Sequence, residues 1–139
     1  MSSRTKARKR ALDLLYGADL RGVAILDLLA EEETRAAAQP ARAGSWPYAR
    51  EIVVGVADHL PEIDAKIAEH ADGWAIGRMP ALDRALARLG AWEILYNADV
   101  PDAVAIAEAV EQASLLSTDA SPGFLNGMLG AIARDRSGH

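Results

Sequence analysis

The chain contains no cysteine, which excludes disulfides and thiolate metal sites and suits a reducing cytosol. Aromatic residues are scarce, with one Phe, three Trp and three Tyr among 139 residues. A core must therefore come largely from alanine and leucine, which favour helices and pack them closely. Val and Ile do not gather into alternating runs, so a sheet has little support. No apolar stretch is long enough to span a bilayer. Asp13, Asp19 and Arg21 interrupt the leucines that follow the charged start, so no signal-peptide core can be drawn there. The composition reads as an all-helical, soluble, cytoplasmic protein of a length that suits one compact domain.

Acidic residues are also missing from the first twelve positions, which hold Arg4, Lys6, Arg8, Lys9 and Arg10. This opening carries +5 and the remainder −10, so the net charge of −5 conceals a local anion-binding surface. Two readings fit the cluster: a solvated terminus that keeps the chain soluble, or a surface for a polyanion such as RNA. Helical phase favours the second. At roughly 100° per residue, Ala7, Ala11, Leu14, Leu15 and Ala18 share one face of a helix over about Thr5–Asp19. Lys6, Lys9, Arg10 and Asp13 lie opposite, and Arg4 and Arg8 flank the apolar stripe. Positive charge at a helix N-terminus opposes the macrodipole, which argues that these charges serve a purpose.

Gly22 separates a second helix, Val23 to about Ala38, with Ile25, Leu26, Leu28 and Leu29 inward. Residues 39–45 read as a loop, and Ser45 is placed to cap a long third helix. Ile52, Val56, Leu60, Ile63 and Ile67 form its buried stripe, and Pro61 should kink or divide it. The segment from Ala71 to Met79 is the midpoint connection. Pro80 suits the first turn of a fourth helix, with Leu82, Leu86, Leu89 and Trp92 apolar and Arg84, Arg88 and Glu93 polar. A fifth helix is expected over about Asp102–Leu116. A last helix is expected with Ser121 as its cap, Pro122 at its first position, and Phe124, Leu125, Met128, Leu129 and Ile132 buried. The expected architecture is two packed bundles of about three helices each, spanning about 1–72 and 79–136.

Catalytic and metal chemistry has little support. His59, His70 and His139 have no ligand spacing, and no Gly-rich phosphate loop or nucleophile elbow is present. Glu108 and Glu111 share a helix side, but solvent or arginine is their expected partner. The expectation is a non-enzyme with no metal and no cofactor.

Three stretches of the second half are informative together: Pro80-Ala-Leu-Asp-Arg-Ala-Leu-Ala-Arg-Leu-Gly-Ala-Trp-Glu-Ile-Leu-Tyr96, Val100-Pro-Asp-Ala-Val-Ala-Ile-Ala-Glu-Ala-Val-Glu111, and Ser117-Thr-Asp-Ala-Ser-Pro-Gly-Phe-Leu-Asn-Gly-Met-Leu129. With the opening Ala7-Arg-Lys-Arg-Ala-Leu-Asp-Leu-Leu-Tyr16, they closely resemble the NusB family of bacterial transcription antitermination factors. The match runs in order over nearly the whole chain and is least diagnostic from about Glu31 to Arg50.

The resemblance implies a non-enzymatic regulator that binds the boxA element of ribosomal RNA leader transcripts together with NusE, a ribosomal small-subunit protein. It implies action on the elongating RNA polymerase alongside other Nus factors. Its implied RNA-binding residues are Arg4, Lys6, Arg8, Lys9 and Arg10, with Tyr16 and Phe124 supplying rings for splayed bases. Tyr16 and Phe124 each retain a second reading as core aromatics. The implied protein-partner positions are Asp83, Asp119 and Ala120. An acidic edge there suits a basic ribosomal protein, and Asp83 also suits the dipole of its helix. Many relatives carry a basic residue before the phenylalanine where this chain has Gly123, so one phosphate contact is expected to be missing. The amides at the start of the last helix are an alternative anion site. Two other readings stay open: a homodimeric helical interaction scaffold, and an accessory RNA-binding domain of an rRNA-modifying system.

Overall fold

The computed structural model describes residues 2–137, apart from the side chain of Arg42. The described residues form α1 (Ser3–Arg21), α2 (Ile25–Ala37), α3 (Trp46–Asp58), α4 (Leu60–His70), α5 (Ala81–Tyr96), α6 (Asp102–Leu116) and α7 (Ser121–Arg136). Short 3-10 turns cover Pro40–Arg42 and Ile76–Arg78, and no strand occurs among the described residues. The all-helical expectation holds. None of the described helices is long and apolar enough to cross a membrane.

The chain divides into two compact units between Asp58 and His59. In the first, α1 and α2 both pack on α3. Ala7, Ala11, Leu14, Leu15 and Ala18 are buried as their phase requires, facing a core that includes Ile52, Val53 and Val56. The Ser2 hydroxyl accepts from the Thr5 amide at 3.1 Å and caps α1. Gly22 ends that helix at φ 65°, where the lack of a Cβ makes the left-handed turn inexpensive. Leu26, expected inward, is 48% exposed, because Leu28 and Leu29 already fill the inward stripe of α2.

The second unit holds α4 to α7, with α6 against both α5 and α7, and α4 against α5 and α7. The expected boundary near residue 72 therefore moves to 58/59. The long third helix is divided as Pro61 requires. His59 leaves helical geometry, α4 restarts at Leu60, and Pro61 lies in a first turn that needs no amide donor. Ile63 and Ile67 then belong to the core of the second unit, with Leu86, Leu89, Leu125, Leu129 and Ile132. Glu93, expected among the polar groups of α5, is fully buried. Ion pairs help to tie the unit together: Arg88 donates to both carboxylate oxygens of Asp64 at 2.9 Å, and Arg136 pairs with Asp102. Arg136 also donates to the Ile94 carbonyl at 2.8 Å.

Candidate nucleic-acid interface

The basic opening is held as the first turns of α1, and its core-facing side sorts the cations into two groups. Arg4 and Arg8 turn toward α3. The Arg4 guanidinium lies 3.9 Å from the Tyr48 ring centroid and that of Arg8 lies 5.7 Å from it, both within cation–π range. Arg8 is only 5% exposed, whereas Arg4 stays at the surface. Arg8 thus belongs to the fold first, a correction to its expected place among the surface cations.

Lys6, Lys9 and Arg10 face the other way. With Arg21 and Trp46 they line a groove of about 550 Å³ whose floor includes Leu14 and Leu28. Arg10 donates to the Ser45 hydroxyl at 3.1 Å and lies 5.1 Å from the Trp46 ring. The hydroxyl of Ser45, expected as a helix cap, here orients a guanidinium. Lys9 donates to Asp13 at 2.7 Å, and both groups remain substantially exposed. Asp13 and Glu32 also line the groove, and Glu32 is itself paired with Arg35 at 2.6 Å. Four cations against two carboxylates leave a positive groove beside an indole. Tyr16 is half-buried and follows Lys9 by two helical turns on nearly the same face. Trp46 and Tyr48 were missed in the sequence; the available signal was two aromatics within three residues in a chain so poor in them.

In the second unit, Phe124 is half-buried in the first turn of α7. It meets Trp74 edge to face, with ring centroids 4.9 Å apart and planes at 75°. Gly123 before it is exposed. Asp83, expected on a partner-facing edge, is instead buried at 1% exposure. Its carboxylate accepts from the Ser121 hydroxyl at 2.8 Å and from the Ser117 hydroxyl. These bonds fix the turn before α7, on which Asp119 and Ala120 stand exposed. Ser121, expected as the cap of α7, makes no side-chain cap bond to that helix. Asp83 acts here as a positioning residue for the turn.

The histidines are engaged elsewhere. His59 stacks on Tyr96 at 3.9 Å, and His70 Nε2 lies 3.2 Å from Asp135. His139 lies outside the described residues. Glu69, His70 and Asp135 converge within 4.8 Å of one another. The positive charge among them comes from Lys66, which donates to Asp135 at 2.9 Å and stands 3.4 Å from Glu69. The hydrogen bond from Lys66, and then that from His70, holds the Asp135 carboxyl below its ordinary value, and the Asp135 bond raises the Lys66 ammonium.

The model of the NusB family matches residues 5–134. The chain belongs to the NusB family. The transcription antitermination protein NusB of Leifsonia xyli subsp. xyli is 59% identical over 136 residues, covering 98% of this chain and 94% of its own. That of Clavibacter sepedonicus is 60% identical over 133 residues, covering 96% and 97%. Among solved structures, T. maritima NusB superposes with a TM-score of 0.82 at 29% identity, covering 95% of this chain and 91% of that one. A second, from a structure of the antitermination factors NusB and NusE in complex with dsRNA, gives 0.83 at 27% identity, covering 97% and 98%. Membership in the NusB family makes the chain a transcription antitermination factor, a regulator and not an enzyme.

Proposed function

We propose that this NusB-family chain binds boxA-like RNA of ribosomal RNA leader transcripts together with NusE. On this reading it works in the cytoplasm, with other Nus factors, on the elongating polymerase. The observation that carries the reading is the groove on α1, where Lys6, Lys9 and Arg10 stand beside Trp46. Cations there neutralise phosphates and a ring gives a splayed base a surface to stack on, the combination suited to single strands. The likeness to a NusB solved with NusE and dsRNA supports RNA as the ligand. Tyr16 extends this surface, Arg4 adds an exposed cation over Tyr48 on another side of α1, and Phe124 is the aromatic candidate in the second unit. Arg8 contributes by packing Tyr48 under the helix start. The exposed turn bearing Asp119 and Ala120 is the candidate NusE edge, held in shape by Asp83.

A salt titration tests the reading. Replacing Lys6, Lys9 and Arg10 by alanine should weaken binding of a boxA-like RNA and lower the slope of log K against log salt by about 0.7 per lost phosphate contact. Arg8→Ala should instead lower thermal stability with little change in that slope. An unchanged slope in the triple variant would remove the groove from RNA binding.

A further inference from the structure

We propose that Trp74 is an RNA-binding residue, a second aromatic surface that takes one unpaired base beside Phe124. The inference rests on the RNA-binding reading above and adds to it a residue on the connection between α4 and α5.

The connection is built to present this ring. Asp72 and Gly73 are consecutive residues with positive φ, 51° and 79°, and a left-handed aspartate costs free energy that the surrounding structure must offset. The reversal lets the Trp74 amide bond back to the Ala71 carbonyl at 3.0 Å. On the far side, Arg84 reaches back from α5 and donates to the carbonyls of Ile76 at 2.9 Å and Met79 at 3.1 Å. Ala71 and Met79 are both buried. The loop is thus anchored at each end, and Trp74 between the anchors is 37% exposed.

An indole is a large apolar group, and keeping over a third of it in water on a fixed loop forgoes burial that would stabilise the fold. Its contact with Phe124 does not close it off. In an edge-to-face pair one ring keeps both of its faces clear of the other, so the contact does not by itself cap the exposed Trp74 against a third planar group. A nucleobase is such a group, and stacking tolerates any base because each has a π-face. The loop also carries exposed Arg78 four residues on, a cation for a neighbouring phosphate.

The test measures affinity of the full chain for a single-stranded boxA-like RNA and for copies of it with one base removed at successive positions. Trp74→Ala should weaken binding of the intact RNA about five-fold or more, with an unchanged salt slope because no phosphate contact is lost. Trp74→Phe should retain most of the affinity. At one abasic position the penalty of Trp74→Ala should disappear, a result that a merely structural role for the indole would not give. Circular dichroism melting shows whether Trp74→Ala is folded, and Trp74→Leu, which keeps apolar bulk but removes the π-surface, carries the abasic comparison if it is not. Wild-type affinity in Trp74→Ala, an equal penalty on every abasic RNA, or a loss confined to NusE binding would each overturn the assignment. These outcomes leave the RNA-binding reading standing. That reading fails separately if the wild type and the Lys6, Lys9 and Arg10 variant bind the RNA equally poorly.

Discussion

Asp83→Ala is expected to destabilise the protein by about 3 kcal/mol, taking each of two hydrogen bonds to a charged acceptor at the low end of about 1.5–3 kcal/mol. The low end applies because the donors are not stranded when the carboxylate is removed. The Ser117 and Ser121 hydroxyls stay 3.0 Å apart, and Ser121 keeps Thr118 at 2.8 Å. At about 4 °C per kcal/mol for a chain of this size, the melting temperature should fall by about 12 °C. The assay is urea unfolding of Asp83→Ala, Ser121→Ala and the double variant. Groups in one network couple, so the cycle should show an interaction of about 1–2 kcal/mol. A loss below about 1 kcal/mol, with additive single variants, would refute the account of Asp83 as the anchor of the turn before α7. Asp83→Lys should be worse, because it places an ammonium where Asp83 is 1% exposed. Because the anchored turn carries Asp119 and Ala120, NusE binding should weaken in Asp83→Ala even at temperatures where the variant is folded.

Gly90→Val should destabilise by about 1–3 kcal/mol through overpacking, because a Cβ at Gly90 would lie 2.8 Å from a methyl of the buried Leu129; thermal melting checks this. The Lys66–Asp135 pair predicts a definite pH window. Asp135 is depressed in the fold, so its contribution is present above its ordinary 3.8 and is lost as pH falls through the lower folded value. Lys66 is raised, so its contribution is full below 10.5 and is lost as pH rises through the higher folded value. Asp135→Asn should therefore flatten the acid limb of the stability profile measured by urea unfolding, and an unchanged limb would show that the pair contributes nothing there.

Local features were legible where a residue acts through its own backbone or its own helical phase. Pro61 divided the helix it lies in, Gly22 closed α1, and the apolar stripe of α1 faced the core as its spacing required. The α6 boundaries, Asp102 and Leu116, were also readable, since Pro101 before the first residue and the turn after the last are local signals. Leu26 and Glu93 were misread because a residue near the margin of a stripe goes inward or outward according to what its neighbours leave unfilled. The boundary between the units was misread for a related reason. A stripe with continuous period gives the buried side of α3 and α4 and says nothing of which partners bury it.

The sequence by itself determined the helices, the positive opening of an otherwise acidic chain, and the family resemblance, because these depend on residue type and spacing alone. The tertiary structure decided what each charge and ring does. It buried Arg8 against Tyr48 and left Lys6, Lys9 and Arg10 around a groove with Trp46. It turned Asp83 from a surface acid into the acceptor of two serine hydroxyls. It also brought Trp74 against Phe124, fifty residues apart in the chain. Such contacts join positions whose separation in sequence carries no information about their separation in space, and only packing brings them together.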